Sequence, residues 1–499
     1  MDKKLSLFLA GIATIMSIFY GQAQDLPTLG LLFSQTSPGG SARVQALGGA
    51  QISLGGDISS LQSNPAGLGM FNRSTFSLST GLSFINSNAS FYGTNTDGLK
   101  LNANIPNFGV VLQKEGNRKI KSHSFGISYN RIADYQNRFV YEGRNSQSSM
   151  LDYFIERADG ILENEFYNNN TSAYNSVEGL AVRTLLILPT SFFDPTNGAD
   201  DLYDSDILGN PFQKETVDVR GAQYQFNLGY GFNFDDILYL GANIGITSVN
   251  YNSTNTYSEN NFAYTPIDAN DTYQNPLNGF NLEENLNVSG GGVNTTLGIM
   301  FRPVDFVQIG AAFTSPTYFN FDEEFHSNMD ADYKFDNNQY TESDIIVASY
   351  NLSTPMKLSS GITFFGGKYG FISADVEMID YGKNRFSSND FSTTAENSEM
   401  KTYHKVYNFR VGGEVRFDIF RLRGGYSLSQ TGDDEVTPIQ SFTGGAGIRY
   451  KYVSFDLGVV NVLRNFNYSP YTLSNKENTP TANVFQNTTK TVMTLGLYF

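Results

Sequence analysis

The stretch FRVGGEVRFDIFRLRGGYSL, residues 409–428, contains two runs in which apolar and polar residues alternate. A turn at Asp418 and Ile419 separates the runs, and arginine, glycine and glutamate dominate their polar positions. The apolar face holds Phe409, Val411, Val415, Phe417, Phe420, Leu422, Tyr426 and Leu428. Successive side chains of a strand point to opposite faces, so a period of two is typical of β-structure. The stretch therefore predicts a hairpin with one apolar side.

The same alternation recurs along the whole chain. The runs lie at 74–86, 104–113, 122–132, 216–234, 237–252, 288–302, 306–321, 356–365, 370–383, 404–417, 420–430, 440–451, 453–463 and 489–499. Several exceed ten residues, which is long for a strand of a soluble protein. That length suits a tilted strand that crosses a bilayer. We predict an all-β fold, a transmembrane antiparallel β-barrel of about 14 strands.

The connections between the runs alternate in length. Those that follow even-numbered runs are mostly tight, as at Asp235-Asp236 and Lys451-Tyr452. Those that follow odd-numbered runs are mostly long, and we expect extracellular loops at 133–215, 253–287, 322–355, 384–403 and 464–488. Outer-membrane barrels have short turns at one end and long loops at the other. A soluble sandwich or propeller, the alternative all-β fold, gives no reason for this segregation.

Both termini agree with export to the outer membrane of a Gram-negative bacterium. Residues 1–23 contain Lys3 and Lys4, an apolar stretch and small residues at Gly21 and Ala23, which is the layout of a cleavable signal peptide. The alternative is a retained helix, for which the apolar stretch is short. The last run ends on an aromatic residue, Phe499, which we expect at the membrane interface.

Composition argues against several classes of function. A net charge of −16 disfavours nucleic acid as a partner. The chain has no cysteine and only three histidines, so a thiolate metal site or a histidine-based catalytic cluster has little material. There is no Gly-x-Ser-x-Gly motif of the kind found in hydrolases. We therefore predict a protein that is not an enzyme, with no catalytic residues, no metal and no cofactor.

Small residues dominate residues 24–73, between the predicted signal peptide and the first strand, and this indicates a compact coil. The segment contains Gly48-Gly49-Ala50, Asp57–Ser60 and Asn64-Pro65-Ala66-Gly67. Together with Arg302-Pro303-Val304-Asp305 and 408–414, these residues resemble the FadL/TodX family of outer-membrane transporters for long-chain fatty acids and hydrocarbons, in the form found in Bacteroidota.

The resemblance implies a domain organisation and a route. Residues 24–73 would form a hatch that plugs a barrel of residues 74–499, with Asn64, Pro65, Ala66 and Gly67 as hatch or gate residues. The ligand would leave sideways into the bilayer through a kinked strand near the hatch, for which Gly126 is a permissive position. The insert from Tyr141 to Arg220 departs from shorter family members.

We therefore predict uptake of hydrophobic small molecules such as long-chain fatty acids, with membrane lipid as the surroundings. Strand periodicity turns Arg410 and Arg423 toward the lumen, where they are candidates for binding a ligand headgroup. The alternative is that they pair with Glu414, Asp375 or Glu377.

The long loops leave two further questions open. The apolar run Leu180–Pro189 either forms part of a ligand entrance or is a packed loop helix. A second function is also open: a PorV-like barrel whose long loops bind protein partners in secretion or adhesion.

Overall fold

A computed structural model describes residues 26–117, 119–168, 173–191, 202–205, 210–262, 277–334, 338–433 and 436–499. The predicted signal peptide lies outside the described residues. Fourteen antiparallel strands form a closed barrel, in which β1 pairs with both β2 and β14. The strands are β1 (Thr75–Phe91), β2 (Thr94–Glu115), β3a (Ile120–Asp134) with β3b (Asn137–Arg144), β4 (Phe212–Phe234), β5 (Leu238–Asn260), β6 (Leu277–Val304), β7a (Val307–Thr314) with β7b (Tyr318–Tyr333), β8a (Ile346–Ser353) with β8b (Lys357–Phe365), β9a (Gly370–Asp380) with β9b (Arg385–Ser387), β10 (Lys405–Phe417), β11 (Phe420–Ser429), β12 (Ile439–Tyr450), β13 (Val453–Tyr468) and β14 (Ala482–Tyr498). The predicted fold class is confirmed.

Short helices and strands complete the described part of the chain. The helices are α1 (Leu26–Ser34), α2 (Ala42–Ala46), α3 (Ser60–Ser63), α4 (Met150–Ala158), α5 (Val177–Arg183) and α6 (Thr394–Glu399), with 3₁₀ turns at Pro65–Met70, Glu163–Glu165, Tyr381–Lys383, Met400–Thr402 and Lys476–Asn478. Minor strands are Tyr167–Asn168, Ala173–Tyr174, Leu188–Ser191, Leu202–Asp204 and Gln339–Glu342. None of the described helices is long and apolar enough to span a membrane.

The outer surface of the barrel carries exposed apolar side chains on every side. Examples on neighbouring strands are Leu228, Ile244, Leu297, Ile309, Leu358, Ile372, Phe409, Leu422, Phe442, Leu457 and Leu495. An apolar belt of this size does not suit contact with water, and it is the surface that a transmembrane barrel presents to lipid.

Tight turns close one end of the barrel, here called the short-turn end. Asp235 and Asp236 both have positive φ, as in the two-residue turns whose twist matches a hairpin. Asp418 and Lys451 also have positive φ in their turns. The tight connections that the sequence predicts at these positions are confirmed, and the other end is the long-loop end.

Several strands extend further toward the long-loop end than the sequence predicts. The first hairpin continues to a tight turn at Tyr92-Gly93, and β5 and β6 enter the predicted loop 253–287. In the same way β7b and β8a occupy much of the predicted loop 322–355.

The reason is an inversion of the side-chain pattern. In β7b the buried, inward residues include Phe319, Phe321 and Phe325, whereas Asn320 and Asp322 face outward. This part of the barrel therefore has a polar outer surface and an apolar interior, which is the opposite of the membrane-facing part.

The N-terminal segment, defined here as residues 26–71, lies inside the barrel. The Ala42 amide donates to Thr494 Oγ1 in β14 at 2.7 Å. The amides of Gln51 and Ile52 donate to Asp375 Oδ2 in β9a at 2.6 and 2.9 Å. These contacts reach different walls, so the segment crosses the lumen.

A ring of inward-facing glycines, here called the glycine ring, surrounds the segment. An added Cβ at any of these positions would contact a residue of the segment. The ring consists of Gly109, Gly126, Gly229, Gly231, Gly241, Gly298, Gly310, Gly361, Gly412, Gly425, Gly445 and Gly458. The missing side chains allow strand and segment backbones to approach closely.

Candidate functional site

An internal cavity of about 260 Å³ lies between the N-terminal segment and the wall, on the long-loop side of the segment. We call it the lumen cavity. Its apolar lining comprises Leu32, Pro38, Tyr135, Tyr381, Ile439, Val460 and Val462. Many hydroxyl, amide and charged side chains line the rest of the cavity, so its wall combines apolar patches with polar groups.

Three cationic side chains line this cavity: Arg131, Arg464 and Lys490. Arg131 donates to Asp134 Oδ1 at 2.7 Å, and Lys490 Nζ lies 3.4 Å from Asp134 Oδ2. Arg464 has no carboxylate partner among the described residues, and its buried Nε has no hydrogen-bond acceptor there. Its guanidinium packs on the Phe466 ring at 4.8 Å from the centroid. Arg464 is therefore the cation in this cavity that is available to an anionic ligand group.

An aromatic cluster fills the lumen further toward the long-loop end. Phe33 of α1 stacks on Phe321, with ring centroids 4.8 Å apart, and contacts Tyr135 and Tyr251 edge-on. These side chains belong to one large buried apolar core. Tyr135 belongs both to this core and to the lining of the lumen cavity, so the two are continuous.

The barrel wall is interrupted beside the lumen cavity. Pairing between β2 and β3a begins at Glu115↔Ser122 and ends at Asn107↔Asn130. Beyond that pair β3 stays paired with β4 but no longer with β2, and its register to β4 shifts between Arg131 and Ala133.

A second cavity of about 300 Å³ lies at this interruption, here called the wall gap. Its lining comes from β2 to β5 and includes Ala103, Gln136 and Tyr224. Asn104 and Arg131 line both the wall gap and the lumen cavity.

Side chains bridge the wall gap where the backbone pairing is lost. Arg131 donates to Asn102 Oδ1 at 3.1 Å while it remains bonded to Asp134. Further toward the long-loop end, Lys100 Nζ reaches the Asn137 carbonyl at 3.3 Å and pairs with Asp218. Arg131 therefore lies between the lumen cavity and the outer surface.

The predicted headgroup residues Arg410 and Arg423 both face inward, and both are paired. Arg410 donates to Glu377 Oε1 at 2.7 Å. Arg423 donates to Glu414 Oε2 at 2.7 Å and to Asp456 Oδ1 at 2.6 Å. These ion pairs are the alternative that the sequence left open, while a role in ligand binding stays a prediction for both residues.

The predicted gate residues anchor the N-terminal segment to the wall. Asn64 Nδ2 donates to the Ile52 carbonyl at 2.6 Å and reaches the carbonyls of Ile299 and Ala311 at 3.3 Å. Its Oδ1 accepts from the Ala66 amide at 3.1 Å and so caps the turn that begins at Pro65. Gly67 completes the packing, because its amide donates to the Asn64 carbonyl at 3.0 Å.

Two details of the sequence analysis change. Gly126 is not the kink in the third strand, because it lies in an unshifted part of the ladder. It belongs to the glycine ring, where a side chain would meet Leu61 and Leu68. The apolar run from Leu180 begins in the packed loop helix α5, which contributes to a buried core.

Sequence reasoning missed Arg464 because it ended the thirteenth strand at residue 463. The available signal was the alternation itself, since Val460, Val462, Arg464 and Phe466 continue one face of the strand. Arg131 was missed because Arg131, Ile132 and Ala133 are all buried, so the alternation is lost there.

Comparisons with known proteins show the fold. The sequence matches no protein-family model and no curated protein. Among solved structures, the chain is similar to a FadL homologue of Pseudomonas aeruginosa, with 11% identity, a TM-score of 0.53, and coverage of 93% of this chain and 98% of the other. It is also similar to the toluene transporter TodX of P. putida, with 13% identity, a TM-score of 0.53, and coverage of 93% and 99%. For the toluene transporter TbuX of Ralstonia pickettii the values are 16%, 0.50, 93% and 99%. The chain therefore has the fold of FadL- and TodX-type channels, as the sequence motifs predict.

Proposed function

We propose that this chain is an outer-membrane channel for the uptake of hydrophobic compounds, and that its substrates carry an anionic headgroup, as long-chain fatty acids do. The observation that carries the proposal is Arg464, a guanidinium without a carboxylate partner among the described residues, in a cavity whose wall also has apolar side chains such as Leu32, Ile439 and Val462. A carboxylate is the natural partner of such a guanidinium, and the apolar walls accept the tail. The fold, shared with a FadL homologue and with the toluene transporter TodX, supports the proposal.

The proposed route leads from the long loops into the lumen cavity and leaves through the wall gap. The N-terminal segment acts as the hatch in this scheme, because it lies across the axis between the lumen cavity and the short-turn end. Movement of Arg131 away from Asn102 connects the lumen cavity with the wall gap. The apolar tail then enters the bilayer without crossing water.

Binding of laurate and of dodecanol to the purified mature protein in detergent tests the carboxylate site. We expect Arg464→Gln to weaken laurate binding at least tenfold and to leave dodecanol binding within twofold, because only laurate is charged. Arg220→Gln, at an arginine that is 70% exposed on its side chain and pairs with Asp218, is the matched control and should change neither. Equal loss of laurate and dodecanol binding in Arg464→Gln would contradict the headgroup assignment.

The same preparation separates this function from a secretion or adhesion barrel. Lipid extracted from the lumen supports transport, whereas a stoichiometric protein partner on the loops, with no laurate binding, supports the alternative.

A further inference from the structure

Three arginines stand side by side on adjacent strands at the short-turn end of the barrel. Arg416 of β10 is the direct cross-strand partner of Arg421 of β11. Arg421 pairs with Gly447 of β12, and Arg449 lies two residues further along that strand, on the same face. Like charges directly opposite each other on a sheet are destabilising unless something neutralises them. This arginine row therefore requires an anionic neighbour.

Among the described residues, a carboxylate pairs with only one member of the row. Arg416 donates to Glu414 Oε1 at 2.7 Å, and Glu414 also accepts from Arg423. Arg421 donates only to backbone carbonyls, those of Asp418 at 2.6 Å and Phe420 at 2.8 Å. Arg449 lies over the Tyr498 ring, 4.3 Å from its centroid. Among the described residues, neither Arg421 nor Arg449 has a carboxylate within ion-pair distance.

The row faces a cavity of about 570 Å³ that opens below the N-terminal segment, here called the short-turn vestibule. Its lining contains six arginines and four carboxylates: Arg43, Arg302, Arg416, Arg421, Arg423 and Arg449, with Asp57, Asp305, Glu414 and Asp456. This surplus of positive charge occurs in a chain whose net charge is −16. Concentration of arginine against the overall charge favours an anion as the occupant.

We propose that the short-turn vestibule is a binding site for a phosphate-type oxyanion, held between Arg421 and Arg449 with Arg416 at its side. Guanidinium groups present paired N–H donors that match phosphate oxygens, and stacking on Tyr498 holds Arg449 in place for such contact. A dianion neutralises two adjacent guanidiniums at once. The phosphate can be free in solution as a dianion or can belong to a phospholipid headgroup, whose phosphodiester carries one negative charge on two non-bridging oxygens.

Thermal unfolding and titration calorimetry of the full mature chain test the site in two arms. One arm adds inorganic phosphate to protein in maltoside micelles. The buffer contains no phosphate and no zwitterionic detergent. The other adds phosphatidylglycerol to the micelles, with phosphatidylcholine as the lipid control. We expect a rise in Tm and saturable binding in one of the two arms. That arm identifies whether the bound phosphate is free or belongs to a lipid. The Arg421→Gln/Arg449→Gln double variant should lose at least tenfold in affinity.

Two comparisons keep the result independent of folding defects. Arg220→Gln, remote from the vestibule, should bind as the parent protein does. Without phosphate, Arg421→Gln should be at least as stable as the parent, because it removes the central charge of the row. Absence of binding in both arms, unchanged binding in the double variant, or a lower Tm of Arg421→Gln in phosphate-free buffer would each overturn the proposal.

Discussion

Glu414 shows how the lumen manages buried charge at the scale of single residues. It is 3% exposed and lies 2.7 Å from the Nε atoms of both Arg416 and Arg423. Arg43 of the N-terminal segment approaches the same carboxylate at 3.6 Å. One carboxylate therefore joins two strands to the segment, and among the described residues it is the only ion-pair partner of Arg416, whereas Arg423 also contacts Asp456 and Arg43 also contacts Asp57.

We expect Glu414→Gln to lower the free energy of unfolding by about 3–5 kcal/mol, because it leaves buried guanidinium charge without its counterion. Urea titration of the protein in detergent measures this change. Glu115→Gln, at an exposed glutamate on β2, is the control and should stay within about 0.5 kcal/mol of the parent. A loss below about 1 kcal/mol for Glu414→Gln would show that Asp456 and Asp57 suffice for these arginines.

For single residues, the sequence predicts which way a side chain faces better than it predicts the residues that the side chain pairs with. The period of two correctly predicted that Arg410 and Arg423 face inward. It did not identify Asp456 as a partner of Arg423, because these residues lie on strands separated by β12 and the registers of two successive strand pairs fix their distance. Arg464 illustrates the converse, since what distinguishes it is the lack of a carboxylate partner among the described residues, which no sequence pattern displays.

The N-terminal segment and the strands around it form the next scale. Asn64 contacts the wall at β6 and β7, and the glycine ring leaves room for its approach. An added Cβ at Gly298 would collide with Asn64 Oδ1 and lie 2.9 Å from Pro65 Cδ. The segment therefore fits against the wall because the glycines of the ring have no side chains.

We expect Gly298→Val to destabilise the seated segment by about 1–3 kcal/mol through overpacking. The change should appear as faster proteolysis within residues 26–71 and as entry of a small polar antibiotic that the parent excludes. Gly291→Val on the same strand is the control, because its Cβ meets nothing closer than 3.6 Å. Equal behaviour of the two variants would show that the ring does not hold the segment.

The strands themselves were largely predictable, and their extensions were not. Every predicted run became a strand because apolar side chains toward lipid and polar ones toward the lumen give a regular alternation. In the part of β7b that the sequence analysis assigns to a loop, the alternation is present but inverted, with Phe325 and Met329 inward and Glu324 outward. A prediction that looks for an apolar outer face classifies such a stretch as a polar loop.

At the scale of the whole molecule, the N-terminal segment divides the lumen into two chambers. The lumen cavity adjoins the wall gap at Asn104 and Arg131, whereas the short-turn vestibule lies beyond the segment. No pattern in one strand predicts this arrangement, because the wall gap arises from pairing that β2 and β3 fail to make.

We expect closure of the wall gap to block uptake. Cysteines at Ala103 and Gln136 line the gap, and the natural chain has no cysteine that could interfere. Joining them with a reducible bis-thiol linker should lower uptake of labelled oleate by whole cells at least tenfold, and reduction should restore it. The control pair is Asn320→Cys with Asn351→Cys, at directly paired positions of β7b and β8a. Unchanged uptake after efficient linkage at the gap would rule out the lateral route.

The glycine ring also limits how the lumen can open. The N-terminal segment packs against bare backbone on many strands, and this fixes its position along the barrel axis. A shift along the axis would bring it against neighbouring positions that carry side chains. Sliding is thereby disfavoured, and passage along the axis would demand local unfolding of the plug. The absent side chains thus close the axial path, and in the proposed scheme the wall gap between β2 and β3 remains the exit from the lumen cavity.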